Sequence, residues 1–176
     1  KWQRGHGDGD LPNDHGFDRS FVLDASGADH WEEKPYLPYY KEALWFEDGE
    51  RARLPEDFYS STFIAGKMED YLRQDADRSE PFFAYVAFLA VHIPVQAPRE
   101  YTEKYIDTYA EGWDAIREKR WQRAQDLGLV REGAPPADLS ETISDRGSLS
   151  ADEQRLSAKS LAVHAGAREA LDAEIG

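Results

Sequence analysis

Residues 81–98 read PFFAYVAFLAVHIPVQAP. Phe82 to Val91 are ten consecutive apolar residues, rich in aromatic and β-branched types. A run this short does not span a bilayer. It predicts a strand buried on both faces, the kind found inside parallel sheets with helices packed above and below. His92 follows directly, and Pro94 and Pro98 then stop both ladder and helix. Open α/β sheets bind ligands outside the carboxyl ends of their strands. An imidazole there titrates near neutrality and serves as acid, base or ligand. A loop histidine bonded to a nearby carbonyl occupies the same position equally well, so position alone leaves both readings open.

On the amino-terminal side, residues 62–76 (TFIAGKMEDYLRQDA) have helical spacing, with Ile64, Met68, Tyr71 and Leu72 on one face and Lys67, Glu69 and Arg73 in solvent. A helix feeding the strand at 82 would be the αβ half of a crossover unit. Phe21 to Leu23 is a second, shorter strand candidate. Asp48-Gly49, between LWFE and ERARL, predicts a hairpin. Trp31, Tyr36, Tyr39, Tyr40, Trp45 and Phe46 cluster along residues 21–61. They either line a substrate cleft or pin a long excursion onto the domain. Residues 1–20 are loop and turns. His6, Asp8, Asp10, Asp14, His15 and Asp18 superficially suggest a cation site, but no Glu stands at the twelfth position from Asp8, and solvated turn residues account for them.

Beyond the His92 loop, Ala110 to Leu127 predicts a helix with Trp113, Ile116, Ala124 and Leu127 on its apolar stripe and Gly128 just past its end. Its basic residues Arg117, Lys119, Arg120 and Arg123 read as a wetted face that neutralises nearby acids. Residues 131–148 form a Pro- and Ser-containing linker. Ser150-Ala-Asp-Glu153 is a capping box opening a last helix with Leu156, Val163, Ala167, Leu171 and Ile175 inward.

Composition narrows the function. The 176 residues suit one ordinary domain, and 40% hydrophobic content excludes a disordered chain. A net charge of −14 argues against nucleic acid and anionic membranes as partners, though local cations still decide what a pocket binds. There is no cysteine, so disulfides, thiolate metal sites and cysteine nucleophiles are excluded. The sequence has neither a signal peptide nor a membrane-spanning run. It begins at Lys1, and its only methionine is Met68, so a longer protein is expected. Backbone pairing leads to the same expectation. A central strand needs neighbours for its polar groups, so the missing strands of the sheet are expected outside this sequence.

The segment 82–130, FFAYVAFLAVHIPVQAPREYTEKYIDTYAEGWDAIREKRWQRAQDLGLV, resembles the bacterial arylsulfatase family. There a buried strand ends in a His-x-Pro-x-x-Ala-Pro loop followed by a Tyr-rich turn and a Gly-Trp-Asp helix. The opening Lys1-Trp2, the HGFDRSF at 15–21 and the closing LAVHAGAREALDAEIG at 161–176 resemble that family's flanking segments in the same order. The resemblance implies an α/β fold, part of an alkaline-phosphatase-like sulfatase domain with central strands of a mostly parallel or mixed sheet between helices. Residues 1–176 would then be an internal portion of one catalytic domain. It further implies a sulfuric ester hydrolase that uses calcium and a formylglycine nucleophile, acts on a small-molecule sulfate ester, and works in a periplasmic or extracellular setting.

Hydrolysis of a sulfate ester needs a nucleophile, a divalent metal, cations against the spreading charge and an acid for the leaving oxygen. The family's (Cys/Ser)-x-Pro-x-Arg motif and its calcium-binding aspartates do not occur in this sequence, so the segment by itself is expected to be inactive. By resemblance, Lys1 corresponds to the lysine of Gly-Lys-Trp-His and His92 to the strand-end histidine. Both are expected to touch the sulfate, with His92 also near the leaving oxygen. The family histidine two residues after that lysine is Gln3 here, which donates a hydrogen bond but has no proton to give. Two other readings remain: a phosphate mono- or diester hydrolase of the same superfamily, and a non-cleaving homologue that binds sulfated glycans.

Overall fold

A computed structural model of the chain describes residues 2–4, 9–138 and 143–176. The chain divides into two compact units, Lys1–Gln96 with Ala167–Gly176, and Ala97–Gly166.

The first unit is built on a small antiparallel sheet of β1 (Phe21–Leu23), β2 (Trp45–Glu47) and β3 (Glu50–Arg51), in that spatial order. Its hairpin is the one expected at Asp48-Gly49. Glu47 pairs with Glu50, leaving a two-residue loop. Both loop residues have positive φ, 49° and 89°, as the turn that matches strand twist requires. One face of the sheet carries Leu23 and Trp45 into a core with Ala28, Phe58, Ile64 and Leu89. Trp45 stacks on Phe21 at 5.0 Å and meets Phe58 edge-on at 5.2 Å.

Helix α1 (Ser60–Gln74) follows and turns Ile64 and Ala65 inward. Leu72 is exposed, so the apolar face ends at the half-buried Tyr71, whose hydroxyl donates to the Ser20 carbonyl at 3.0 Å. Lys67 is not merely solvated. Its ammonium reaches Glu47 at 2.5 Å and lies over the Phe21 and Phe63 rings, so it ties the helix to the carboxyl end of β2.

The expected central strand does not form within this chain. Phe82 to Val91 carry no strand, and Phe82, Phe83 and Tyr85 are 75%, 80% and 61% exposed. The expected crossover from α1 into a parallel sheet is absent too, because the sheet of the described residues is three short antiparallel strands. A ladder forms only where a neighbouring strand offers backbone donors and acceptors, and neither edge of this sheet takes up the run. The carboxyl end of the run behaves differently. Leu89 is buried in the core and Phe88 packs against it, so the residues just before His92 are anchored.

The second unit holds α2 (Arg99–Glu103), α3 (Trp113–Asp126) and the first part of α4 (Ala151–Ile175). Two of its helix ends are legible in the sequence. The α3 terminus is a Schellman motif, with the Gly128 N–H on the Gln125 carbonyl and the Leu129 N–H on the Ala124 carbonyl, both at 2.9 Å. The α4 start is a capping box: the Ser150 N–H donates to Glu153 Oε2 at 2.8 Å and the Glu153 N–H to Ser150 Oγ at 3.3 Å.

The buried face of α4 keeps Ala167 of the predicted stripe but departs from it at both ends. Leu156 and Ile175 are each 66% exposed, while Ala158 and Ala162 are buried. The cause is close approach. A Cβ on Gly166 would come within 2.8 Å of the Thr102 backbone nitrogen in α2, a separation that only small residues allow.

A candidate site around the His92 loop

His92 sits where the anchored end of the apolar run turns. Its N–H donates to the Leu89 carbonyl at 2.9 Å, closing a tight turn. The imidazole is exposed, and its Nδ1 lies 2.9 Å from the carbonyl of Ile93. A carbonyl only accepts, so Nδ1 carries the proton. In the neutral ring Nε2 is then the free lone pair, and in the cation it is the acid. Of the two readings that position left open, the carbonyl bond is therefore real. It also fixes the neutral tautomer, with the proton on Nδ1.

What holds this loop is a polar cluster that sequence patterning does not single out. Gln96, four residues on, accepts from the His30 backbone N–H at 2.9 Å and donates from Nε2 to Asp29 Oδ2 at 2.7 Å. Asp29 is itself fixed by the N–H groups of Trp31 (2.8 Å) and Glu32 (3.2 Å) and by the Tyr36 hydroxyl (3.2 Å). Burial pushes the Asp29 carboxyl up, but the bonds from Gln96, Trp31, Tyr36 and Glu32 outweigh it and leave the group below its ordinary value.

His30 is 1% exposed and Ser60 is fully buried. Ser60 Oγ lies 2.8 Å from His30 Nδ1, and the Ser60 N–H donates to the His30 carbonyl at 2.9 Å. Burial pulls the His30 pKa down to about 4 against the opposing pull of Asp29, so the ring is neutral at pH 7. Both residues of the Ser60–His30 pair are thus enclosed by the surrounding chain.

A second point of contact lies at Gly27, whose φ is +62°. A Cβ there would meet Leu37 at 2.5 Å and the Ile93 carbonyl at 3.3 Å. Glycine is therefore needed both for the backbone conformation and for the approach of the two loops. Ile93, whose carbonyl orients His92, thus lies against the 27–37 loop.

Of the other residues singled out by the sequence, Lys1 lies outside the described residues, as do His6 and Asp8. Gln3 is exposed with φ +65°. The neighbouring Trp2 is fixed by its N–H on the Leu23 carbonyl at 3.1 Å and by its indole N–H on the Asp10 carbonyl. Gln3 and His92 share the first unit, and the described contacts do not link them. The aromatic cluster divides between its two expected roles. Trp45 and Tyr40 belong to the core, whereas Trp31, Tyr36 and Tyr39 are exposed. Trp31 packs on Tyr59 at 5.0 Å and Tyr39 on Tyr40 at 4.9 Å.

The family model described as Sulfatase matches residues 1–176. This chain belongs to the sulfatase family. It is 34% identical over 184 residues to an uncharacterized sulfatase of Schizosaccharomyces pombe, covering all of this chain and 33% of that protein. It is 32% identical over 178 residues to an arylsulfatase of Klebsiella aerogenes, covering all of this chain and 38% of that protein. A shorter match, 34% identical over 94 residues, is to an uncharacterized sulfatase of Escherichia coli. The chain spans about a third of the length of the first two curated relatives.

The residues present do not fit the calcium or the formylglycine that the family resemblance implies. Among the described residues no group of three or more His, Asp or Glu side chains converges on a point that a cation could occupy, and the sequence has no (Cys/Ser)-x-Pro-x-Arg motif. What this segment itself presents at the loop is an exposed His92 ring with its Nδ1 bonded to the Ile93 carbonyl. No helix among the described residues is long and apolar enough to cross a membrane.

Proposed function

We propose that the protein carrying this segment is an arylsulfatase-type sulfuric ester hydrolase, and that residues 1–176 are an internal portion of its catalytic domain. Family membership and the likeness to an arylsulfatase support that reading. The observation that carries it is the state of His92, an exposed ring with its Nδ1 proton committed to the Ile93 carbonyl. In the reaction, a sulfate ester and water become an alcohol and hydrogen sulfate. The ester S–O bond breaks, and the leaving oxygen needs a proton. The His92 cation donates that proton from Nε2 and recovers one afterwards from the attacking water. Lys1 contributes positive charge to the sulfate. Gln3 offers an amide hydrogen bond where a histidine would offer a proton, so it orients the anion without proton transfer.

Removing a general acid costs on the order of 10²–10⁴-fold in rate. In the full-length protein, His92→Ala is expected to lower turnover of a chromogenic aryl sulfate by a factor in that range. The melting temperature should barely change, since an exposed ring leaves no apolar cavity. Wild-type turnover in the variant would remove His92 from the reaction. An aryl phosphate assayed in parallel tests the phosphate reading, and sulfatase activity that greatly exceeds phosphatase activity is expected. One observation, Gln3, favours a homologue that binds sulfated glycans without cleaving them. Glycan binding with no turnover of any ester would support that reading instead.

A further inference from the structure

We infer that Asp29 and Gln96 form a positioning clamp that sets the direction of the His92 ring, so that both residues act on the reaction through His92 without touching substrate. This rests on the reading of His92 given above. The first support is connectivity. Gln96 uses both ends of its amide, accepting from the His30 N–H at 2.9 Å and donating to Asp29 at 2.7 Å. Neither partner is free to move. Asp29 holds three further bonds, from Trp31, Glu32 and Tyr36, and His30 is tied to Ser60 at the start of α1 by both backbone and ring. The amide is thus gripped by a rigid part of the first unit.

The second support is the short path from the clamp to the ring. Only Ile93, Pro94 and Val95 separate Gln96 from His92, and Pro94 fixes its own φ. The Ile93 carbonyl in that stretch is the group that holds Nδ1, and Gly27 packs beside it. A shift at Gln96 is therefore passed to the carbonyl that orients the ring. Positioning is worth much in catalysis, where a displacement of about 1 Å costs on the order of 10²-fold. A cluster serving stability alone would have no reason to affect the proton-transfer step.

The test uses the full-length protein and a chromogenic aryl sulfate. Gln96→Glu sets a carboxylate against Asp29 and breaks the clamp, and kcat is expected to fall by about 10–100-fold with a much smaller change in KM. Asp29→Asn combined with Gln96→Glu restores a donor opposite an acceptor, and is expected to recover kcat to within about threefold of wild type. In a His92→Ala background, Gln96→Glu is expected to cost nothing further, because the ring it positions is gone. If Gln96→Glu does not fold, Gln96→Leu keeps the volume, removes both bonds and is read in the same way. An unchanged kcat in the single variants, no recovery in the paired variant, or a full additional loss on His92→Ala would each overturn the clamp. If His92→Ala itself keeps wild-type turnover, the reading of His92 fails, and the clamp fails with it. A large loss in His92→Ala with none in Gln96→Glu leaves that reading standing and removes the clamp alone.

Discussion

Two stretches of the first unit reverse the usual relation between composition and burial. Phe82 to Tyr85 belong to the most apolar run in the chain and lie largely in solvent. Asp29, His30 and Ser60 are polar or ionisable and are buried. The difference lies in what surrounds each backbone and side chain. Every polar group named in the cluster has a partner within hydrogen-bond distance, which removes the 1–3 kcal/mol or so that an orphaned buried group costs. The run offers its backbone to strands that the described residues do not supply. Burial therefore follows from available partners as much as from hydrophobicity. The same contrast explains how His92 is held, since its loop is secured from one side by Leu89 in the apolar core and from the other by Gln96 in the polar cluster.

Three measurements of stability test this comparison, beginning with the largest effect. Trp45→Ala removes a fully buried ring packed on Phe21 and Phe58, and a loss of about 3–5 kcal/mol is expected in urea unfolding. A loss below about 1 kcal/mol would mean that the small sheet does not organise the core.

His30 provides the next effect, through pH. Its folded pKa of about 4 lies below the ordinary 6.5. Between these values the unfolded chain binds more protons than the native one, so stability rises with pH in that window and is lost on acidification. A depression of this size corresponds to about 3 kcal/mol. Asp29 works in the same direction at lower pH, because its carboxyl is held below its ordinary range. The unfolding free energy of the chain is expected to fall between pH 6.5 and 4, and His30→Asn is expected to flatten that part of the profile. An equally steep profile in the variant would show that the buried imidazole is not the source.

The smallest effect belongs to the run. Phe83→Ser is expected to change the stability of the monomeric chain by less than about 0.5 kcal/mol, as at other exposed positions. A loss of several kcal/mol in the full-length protein, beside a small one in the chain, would show that the run is covered there.

Local chemistry made part of this architecture legible in the sequence. Asp48-Gly49, Ser150 with Glu153, and Gly128 each act within a few residues, and the structure has the hairpin, the capping box and the helix stop that they imply. The apolar run carries no strand among the described residues because strand formation is a property of a pair, and the sequence reading itself expects the partner strands outside this chain. The buried face of α4 was legible in part. Of the predicted stripe Ala167 is buried while Leu156 and Ile175 are exposed, and Gly166 against the Thr102 backbone favours small residues on this face. In the candidate site, His92 stood out from its place after the run. Asp29, His30, Ser60 and Gln96 did not, because their bonds join residues 30 and 66 positions apart and each alone reads as an ordinary turn residue. Only Asp29 left a local trace, since an aspartate that caps the N–H groups two and three residues on is a common turn device.

The most direct test of the account is the dependence of the His92→Ala defect on the leaving group. In the full-length protein, a series of aryl sulfates with increasingly basic phenols is compared between wild type and variant. A residue that protonates the leaving oxygen matters least for phenols that depart readily as anions and most for those that do not. The defect is predicted to grow steadily along the series, from about tenfold or less at the activated end toward the upper part of the 10²–10⁴ range at the other. A defect of constant size across all phenols would contradict proton donation by His92 and leave it as a contact to the sulfate group.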